Sequence, residues 1–336
     1  MKLVLFDAHA VIHRAYHAIP PSLTSPAGEP TNATYGFVST LLRVLGEEQP
    51  DYVAAAFDVG RSFRHADFAE YKATRPALAD DLGVQIKRSR ELAEAFGIPT
   101  FGVEGFEADD LLGTLSRQAS DQGVETVIVT GDTDTFQLIG PHVSVLTFSR
   151  QFGDLIRYDQ AAIQERYQLQ PRQLIDFKAL KGDASDNIPG IPGIGDKTAT
   201  KLLQTYGTLE NAYEHLGEID KRTREKLSAA EQQAMLSKHL VTIVTDAPVE
   251  LDLTKCRVKT FDRERVIALF RELGFRSLVE RLPGQASVDE LEFEKTTGET
   301  PVPATEDYHT VDTESALGEL AAKLKSGKPF VVDVET

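Results

Sequence analysis

Glu107, Asp109 and Asp110 stand within four positions of one another in "GFEADDLLG" (105–113), where a helix is expected to begin. Acids in a first helical turn interact favourably with the positive end of the helix dipole, each by roughly 0.3–1 kcal/mol. That accounts for one or two of them. The third is opposed by its neighbours, because two like charges about 5 Å apart at an effective dielectric near 20 repel by roughly 3 kcal/mol. The crowding predicts a positive partner that this stretch of sequence does not contain.

Other acids join the set. Asp7, Asp58, Asp132 and Asp134 close or follow short apolar runs, and Asp183 and Asp186 lie in "GDASDNIPGIPGIGDKT" (182–198). Any one of them has an ordinary explanation as a loop acid or helix cap. Together, so many carboxylates without Cys or His partners favour Mg²⁺ or Mn²⁺ over zinc. One Mg²⁺ usually takes one or two carboxylates and keeps several waters, so the number implies two ions. Two ions about 3.5–4 Å apart clamp the attacking and leaving oxygens of an in-line phosphoryl displacement. The chemistry expected is phosphodiester hydrolysis.

Two further segments suit a phosphate. "RSFRHADFAEYKATRP" (61–76) is basic through Arg61, Arg64, Lys72 and Arg75, with Phe63, Phe68 and Tyr71 between them. On a helix, Lys72 and Arg75 would share a face; a solvated helix face is the plain alternative. "IPGIPGIGDKTATKLL" (188–203) offers a tight hairpin, Gly193-Ile194-Gly195, and then a helix whose first amides would point at an anion. Gly190 and Gly195 have the spacing of a nucleotide P-loop, but Asp196 stands where lysine must follow. A sequence-independent grip on a DNA phosphate suits the hairpin better, with helix capping as the alternative.

The elements that must position these residues are legible in outline. "KLVLFD" (2–7), "YVAAAFD" (52–58) and "TVIVTGD" (126–132) read as strands separated by helical patterns such as "TYGFVSTLLRVLGEE" and "DDLLGTLSRQASDQG". Apolar strands alternating with helices imply an α/β fold with a mainly parallel sheet flanked by helices. Function in such sheets sits beyond the carboxyl ends of the strands, where Asp7, Asp58, Asp132 and Asp134 fall. From about residue 170 helical patterns dominate. Residues 284–306 have the Thr, Pro, Gly and acid content of a solvated linker, and 307–336 starts a new strand, helix, strand pattern.

The 336 residues are 41% hydrophobic and 26% charged, enough for a buried core and for more than one unit. A single cysteine, Cys256, excludes an internal disulfide and fits a reducing compartment. Asp7 breaks the first apolar run too early for a signal peptide, and no run approaches the 18 or so residues of a membrane span. A cytosolic protein without a membrane partner is expected. The net charge of −16 argues at first against nucleic acid. Residues 285–336 hold 12 acids and 4 bases, however, and once the nine clustered acids are also set aside, 31 acids face 32 bases. The body is close to neutral.

With these residues in place, the chain resembles the 5′ nuclease domain of bacterial DNA polymerase I, within the wider flap endonuclease family. The resemblance runs from about Lys2 to Leu282 on "RAYHA" (14–18), "FDVGRSFRHADFAEYKATRP" (57–76), "GFEADDLLGTL" (105–115), "VTGDTDTFQL" (129–138) and "GDASDNIPGIPGIGDKTA" (182–199). It implies a flap endonuclease (PIN-like) fold, with a catalytic core over 1–170, a basic arch or gateway near 61–90 and a helix-hairpin-helix region over 171–283. Asp7, Asp58, Glu107, Asp109 and Asp110 would surround a first Mg²⁺, and Asp132, Asp134, Asp183 and Asp186 a second, with Mn²⁺ able to substitute. Lys72 and Arg75 would lie on a gateway helix and steady the scissile phosphate, and Arg14 and Arg64 would contact substrate. Gly193, Ile194, Gly195, Lys197 and Thr198 would hold duplex DNA, often with K⁺ at the hairpin.

Three positions depart from the family pattern: Ala8 replaces a glycine after the first Asp, His13 a tyrosine able to stack on a base, and Thr133 a lysine between two aspartates. None removes a carboxylate. The final "FVVDVET" resembles the first strand of a proofreading exonuclease domain, with Asp333 and Glu335 on its first acidic motif, so the chain reads as a fragment of a longer polymerase. The activity implied is cleavage at 5′ ends, 5′ flaps, overhangs and nicks, including RNA primer ends, by a bacterial cytosolic monomer. Two rivals use the same residues. One is a non-catalytic junction-binding module that keeps the acids as a structural metal site, and the other is a metal-dependent RNase of related fold, which the hairpin at 188–203 argues against.

Overall fold

The apolar runs lie side by side and buried on both faces, as a mainly parallel sheet requires. The computed structural model describes residues 1–149, 155–259 and 261–283. In it, β1 (Lys2–Asp7) is followed by α1 (Ala8–Ala18), α2 (Asn32–Glu48) and β2 (Tyr52–Ala56). The one-turn α3 (Arg64–Asp67), α4 (Asp80–Ala95) and β3 (Thr100–Phe101) come next. Then follow α5 (Ala108–Asp121), β4 (Glu125–Val129), β5 (Val143–Phe148) and β6 (Leu155–Tyr158).

The strand order is β3-β2-β1-β4-β5-β6, parallel throughout except for the antiparallel β5–β6 pair. Leu5 pairs with Ala54 on one side and Ile128 on the other. The strand order reverses between β1 and β4, and in sheets of this kind such a switch point opens a crevice beyond the carboxyl ends. The runs expected at 52–58 and 126–132 are strand only to Ala56 and Val129, which leaves Asp58 and Asp132 on the loops above the sheet. The short β3 and the partly exposed β6 carry too little apolar pattern to be read from sequence.

After β6 the chain is helical: α6 (Gln160–Tyr167), α7 (Gln173–Lys181), α8 (Asp196–Tyr206), α9 (Leu209–Glu214), α10 (Lys221–Ala229) and α11 (Glu231–Val241). The shorter α12 (Leu253–Cys256), α13 (Arg263–Leu273) and α14 (Arg276–Val279) follow. One apolar cluster runs from Leu5 and Ile128 of the sheet through Phe136 to Phe177, Ile191, Ile194 and Leu203. Met1–Gln285 forms one compact unit, so the sheet and the helices after it share a core. The expected linker at 284–306 and the exonuclease-like segment at 307–336 lie outside the described residues.

The loop that carries Asp183 and Asp186 is pinned by two glycines. Gly182 (φ 81°) and Gly190 (φ 57°) both adopt left-handed backbone, and a Cβ on Gly190 would lie 2.1 Å from the Gly182 nitrogen. The closure is secured by Asp183 and Ile188 exchanging N–H to carbonyl bonds at 2.9 and 2.8 Å. Gly190→Ala combines backbone strain with an overlap that no side-chain rotation relieves, and is expected to cost about 3 kcal/mol. Gly195 has open space around its Cα, so Gly195→Ala should stay within about 0.5 kcal/mol. Urea midpoints of the two variants check the contrast, and equal midpoints would contradict it.

Candidate active site

Asp7 ends β1 and caps α1, accepting the Ala10 N–H at 3.0 Å and the Thr130 hydroxyl at 2.6 Å. Burial pushes its carboxyl up to about 7 against those two hydrogen bonds, and Asp58 and Asp132 add repulsion. Asp58 accepts the Ala108 N–H at the start of α5 (2.7 Å), and its own N–H is donated to His9 Nδ1 (3.1 Å). Glu107 immediately precedes α5. Its carboxylate accepts from Lys72 Nζ (2.9 Å), Ser62 Oγ (3.1 Å) and Tyr71 OH (3.0 Å). Asp186 accepts from Arg75 Nη2 at 2.5 Å, with Tyr71 OH at 3.3 Å and Lys72 Nζ at 3.8 Å.

Asp132 caps a short 3-10 helix (Thr133–Leu138) by accepting the Asp134 N–H at 2.9 Å. Asp134 and Asp183 share the ammonium of Lys178, which donates to both and lies 2.7 Å from Asp183. Burial and the charge of Asp132 push Asp134 up to about 7 in spite of that lysine. At Asp183 burial acts in the same direction, but Lys178 and Ser185 outweigh it and hold the carboxyl down at about 2. Asp109 differs from all of these, since among the described residues no donor is bonded to its carboxylate. Burial first, then the charges of Asp132 and Asp7, raise it well above the usual carboxylate range.

Seven of the nine acids line two cavities; Asp110 and Asp186 line neither, and Asp132, expected at the second metal, lines the first cavity instead. One of about 580 Å³ is lined by Asp7, Asp58, Glu107, Asp109 and Asp132, together with Lys72, Arg75 and the histidines of α1. The other, of about 620 Å³, is lined by Asp134 and Asp183 with Lys178. Among the described residues no three or more His, Cys, Asp or Glu side chains converge so as to hold a metal ion between them. Mg²⁺ held by one or two carboxylates and several waters needs no such convergence. The donors around both cavities are carboxylate oxygens, the type Mg²⁺ and Mn²⁺ prefer.

Several sequence expectations are revised here. Asp110 was placed at the first metal, but it is fully buried and its two oxygens accept from Arg64 Nη1 and Nη2 (both 2.8 Å), Val244 N–H (2.9 Å) and Glu107 N–H (3.0 Å). Those four bonds use the acceptor capacity of a carboxylate. Arg64, expected to contact substrate, is 2% exposed and gives two of its remaining three donors to the carbonyls of Leu240 and Thr242. Here is the positive partner that the acidic stretch required, supplied from 46 residues away.

Lys72 and Arg75 do not lie on a helix. Residues 69–75 form successive turns, and Lys72 has φ 55°. The bonds from Tyr71 N–H to Phe68 O, Ala73 N–H to Glu70 O and Arg75 N–H to Lys72 O span three residues each, and Pro76 stops their extension. Both cations nevertheless face the first cavity. Arg14 does not: its guanidinium bonds Ser149 O at 2.8 Å and lies over Phe148, beside a separate cavity of about 240 Å³. In the hairpin, Ile194 is buried in the core and gives its N–H to Ile191 O, whereas Gly193, Gly195 and Lys197 are exposed and Thr198 is half-buried.

Sequence reasoning passed over Lys178 and underrated Tyr71. Lys178 sits among apolar neighbours in "DFKALKGD", five residues before Asp183, and a lysine within an apolar helical run was the available signal. Tyr71 looked like one more aromatic between bases, yet its hydroxyl lies between an acid of each expected metal set.

Two outcomes follow. Arg64→Met leaves the Asp110 charge buried without its partner, which should cost about 3–5 kcal/mol in urea unfolding. A residue serving only to touch DNA would lose affinity with the unfolding midpoint unchanged. The second concerns pH. Asp7 and Asp134 are raised to about 7, and unfolded carboxyls titrate near 4. The folded chain therefore binds more protons across that interval, and the stability these two groups contribute is present below about pH 4 and lost as pH rises through about 7. Mg²⁺ at saturating concentration is expected to raise Tm by about 2–5 °C at pH 7.5 and by clearly less at pH 5. Equal shifts in scanning calorimetry would show that these acids do not bind it.

Two family models match the chain in sequence order. They are 5′-3′ exonuclease, N-terminal resolvase-like domain, over residues 2–168, and 5′-3′ exonuclease, C-terminal SAM fold, over residues 169–264. The DNA polymerase I of Caldicellulosiruptor bescii is 45% identical over 296 residues, covering 87% of this chain and 35% of that protein. The DNA polymerase I of Bacillus subtilis is 42% identical over 283 residues, covering 84% and 32%. This chain spans about a third of the length of these curated relatives. Among solved structures, the T5 D15 protein co-crystallised with metal ions superposes with a TM-score of 0.62 at 22% identity, covering 73% of this chain and 90% of that one. The catalytic core of Rad2 in complex with DNA substrate does so with a TM-score of 0.56 at 19% identity, covering 81% and 87%. Likeness at such identities shows the shared flap nuclease fold alone. Matched by both models in order, with its acids gathered at the carboxyl edge of a mainly parallel sheet, the chain belongs to the 5′-3′ exonuclease family.

Proposed function

We propose that this chain hydrolyses DNA phosphodiester bonds at 5′ ends and at the junctions of 5′ flaps, using two Mg²⁺ ions for which Mn²⁺ can substitute. The reading is carried by Asp109, a carboxylate with no bonded donor among the described residues that faces the same cavity as Lys72 and Arg75. An acid held unpaired beside other acids is costly to ionise, and a divalent cation removes that cost. Asp7, Asp58, Glu107, Asp109 and Asp132 would surround one ion, one or two of them touching it and the others acting through its bound waters, and Asp134 and Asp183 would serve the other. Asp186 would join them only on release from Arg75. When bound, the ions lower the pKa of the attacking water and neutralise charge on the transferring phosphoryl group.

The chain's own part is positioning. Lys72 and Arg75 are set for the non-bridging oxygens of the scissile phosphate, and the carboxylates of Glu107 and Asp186 hold them in place until a phosphate competes for their donors. A cavity of about 580 Å³ accommodates a nucleotide or two of single strand and excludes a duplex, which directs cleavage to ends and flaps. The opening amides of α8, with Lys197 and Thr198, would grip the duplex by its backbone, so sequence preference is small and salt sensitivity large. Products would carry 5′-phosphate and 3′-hydroxyl ends. The cellular role proposed is primer removal and repair by a monomer in the bacterial cytosol. No helix among the described residues is long and apolar enough to cross a membrane.

Labelled 5′-flap DNA incubated with Mg²⁺ should be cut near the junction, with no product in EDTA. Asp109→Asn keeps the shape of the side chain and removes its charge, and should lower single-turnover cleavage by about a hundredfold or more. Binding of the flap with no product from the intact chain would favour the junction-binding module instead.

A further inference from the structure

The two acid-lined cavities differ in what already occupies their carboxylates. In the first, Asp7, Asp109 and Asp132 pair with no lysine or arginine among the described residues, so a metal ion can reach them without displacing another cation. In the second, both acids are taken. Lys178 donates to Asp134 Oδ1 and lies 2.7 Å from Asp183 Oδ2. No other described acid lines that cavity.

Lys178 stands in the last turn of α7, and its side chain and both partner carboxylates are mostly buried. Charges so close and so shielded from water interact more strongly than a surface pair. Asp183 is set for the lysine by Ser185, whose N–H and hydroxyl donate to its other oxygen at 2.9 and 2.5 Å. Lys181, the second cation of this cavity, is drawn off to Asp196 at 2.9 Å and does not compete.

An ion and this ammonium exclude each other. Mg²⁺ sits about 2.0–2.1 Å from a carboxylate oxygen that binds it, and an ammonium bonded to the same oxygen is about 2.8 Å away. The two cations would stand a few ångströms apart in a poorly solvated place, where like charges repel strongly. The lysine can leave, because its ammonium rides on a flexible stem and the cavity of about 620 Å³ has room for it.

We propose that Lys178 is an internal counter-ion that closes the second ion site in the metal-free chain, so that the two ions load unequally: the first enters an open site, the second only by displacing an ammonium. Where metal is scarce, the chain then lacks the pair of ions that hydrolysis uses. This rests on the two-ion reading above.

Electron paramagnetic resonance of unbound Mn²⁺, titrated into the intact chain without DNA, tests the inference. The wild-type chain should bind about one Mn²⁺ tightly and a second at least about tenfold more weakly. Lys178→Met keeps the length of the side chain without its charge, and should tighten the weaker site by about tenfold. Adding Asp134→Asn to that variant should abolish the gain. In calorimetry Lys178→Met should melt below wild type in EDTA and gain more than wild type from Mg²⁺, because its two acids have no cation until the ion arrives. Two equal sites in the wild-type chain overturn the proposal. So does a Lys178→Met chain whose second site and Mg²⁺ response match those of wild type, or a gain that survives Asp134→Asn. The count on the wild-type chain needs no variant to fold. Absence of Mn²⁺ binding in every chain would sink the two-ion reading and this proposal with it, whereas two equal sites sink this proposal alone.

Discussion

Mutual repulsion among carboxylates at one edge of a sheet is the constraint around which this molecule is arranged. Parallel strands side by side bring their carboxyl ends to one edge, so acids that end or follow β1, β2 and β4 meet whether or not their charges favour it. Burial sharpens the repulsion, as the raised carboxyls of Asp7, Asp109 and Asp134 show. The fold responds by bringing a donor to almost every acid from a distant part of the chain. Lys72 reaches Glu107, Arg75 reaches Asp186, and Lys178 bridges Asp134 and Asp183. Asp109 is left without one, and it faces the cavity where substrate chemistry would take place.

These pairings differ in kind. The Arg64–Asp110 pair is buried and bidentate, and every acceptor site of the carboxylate is used. A buried pair of this sort adds little net stability over well-packed apolar residues, but removing one partner is severely destabilising. Its effect is to fix three segments to one another, namely α3, the start of α5 and the end of α11. Glu107 and Asp109, just before Asp110, inherit that rigidity. The Lys72 and Arg75 pairs are more exposed and belong to a run of turns, so a phosphate can compete for their donors without dismantling a helix.

The helical region serves the same edge from the other side. Phe177 and Leu180 of α7, with Ile191 and Ile194 of the hairpin, pack into the core that begins under the sheet, so the loop carrying Asp183 and Asp186 has a rigid base. Back-to-back glycines at 182 and 190 close that loop, and Lys226 fastens the hairpin beyond it. The acidic edge of the sheet and the hairpin are therefore held at a set spacing by one core.

The sequence by itself determined the fold class, the three central strands and the acids above them, because strand alternation with helices and the acid ending each apolar run are local patterns. It also determined the family, since the motifs and their order are features of a linear chain. The tertiary structure alone decided which acids are free. Asp110 and Asp109 are adjacent and chemically identical, yet one is saturated by an arginine 46 residues away and the other is bonded to no donor among the described residues. It also decided that 69–75 is a run of turns and not a helix, that Lys178 joins two acids, and that a lysine 33 residues along from the hairpin sits on its turn. Local propensity carries no information about pairings at such separations; they follow from which surfaces the shared core brings together.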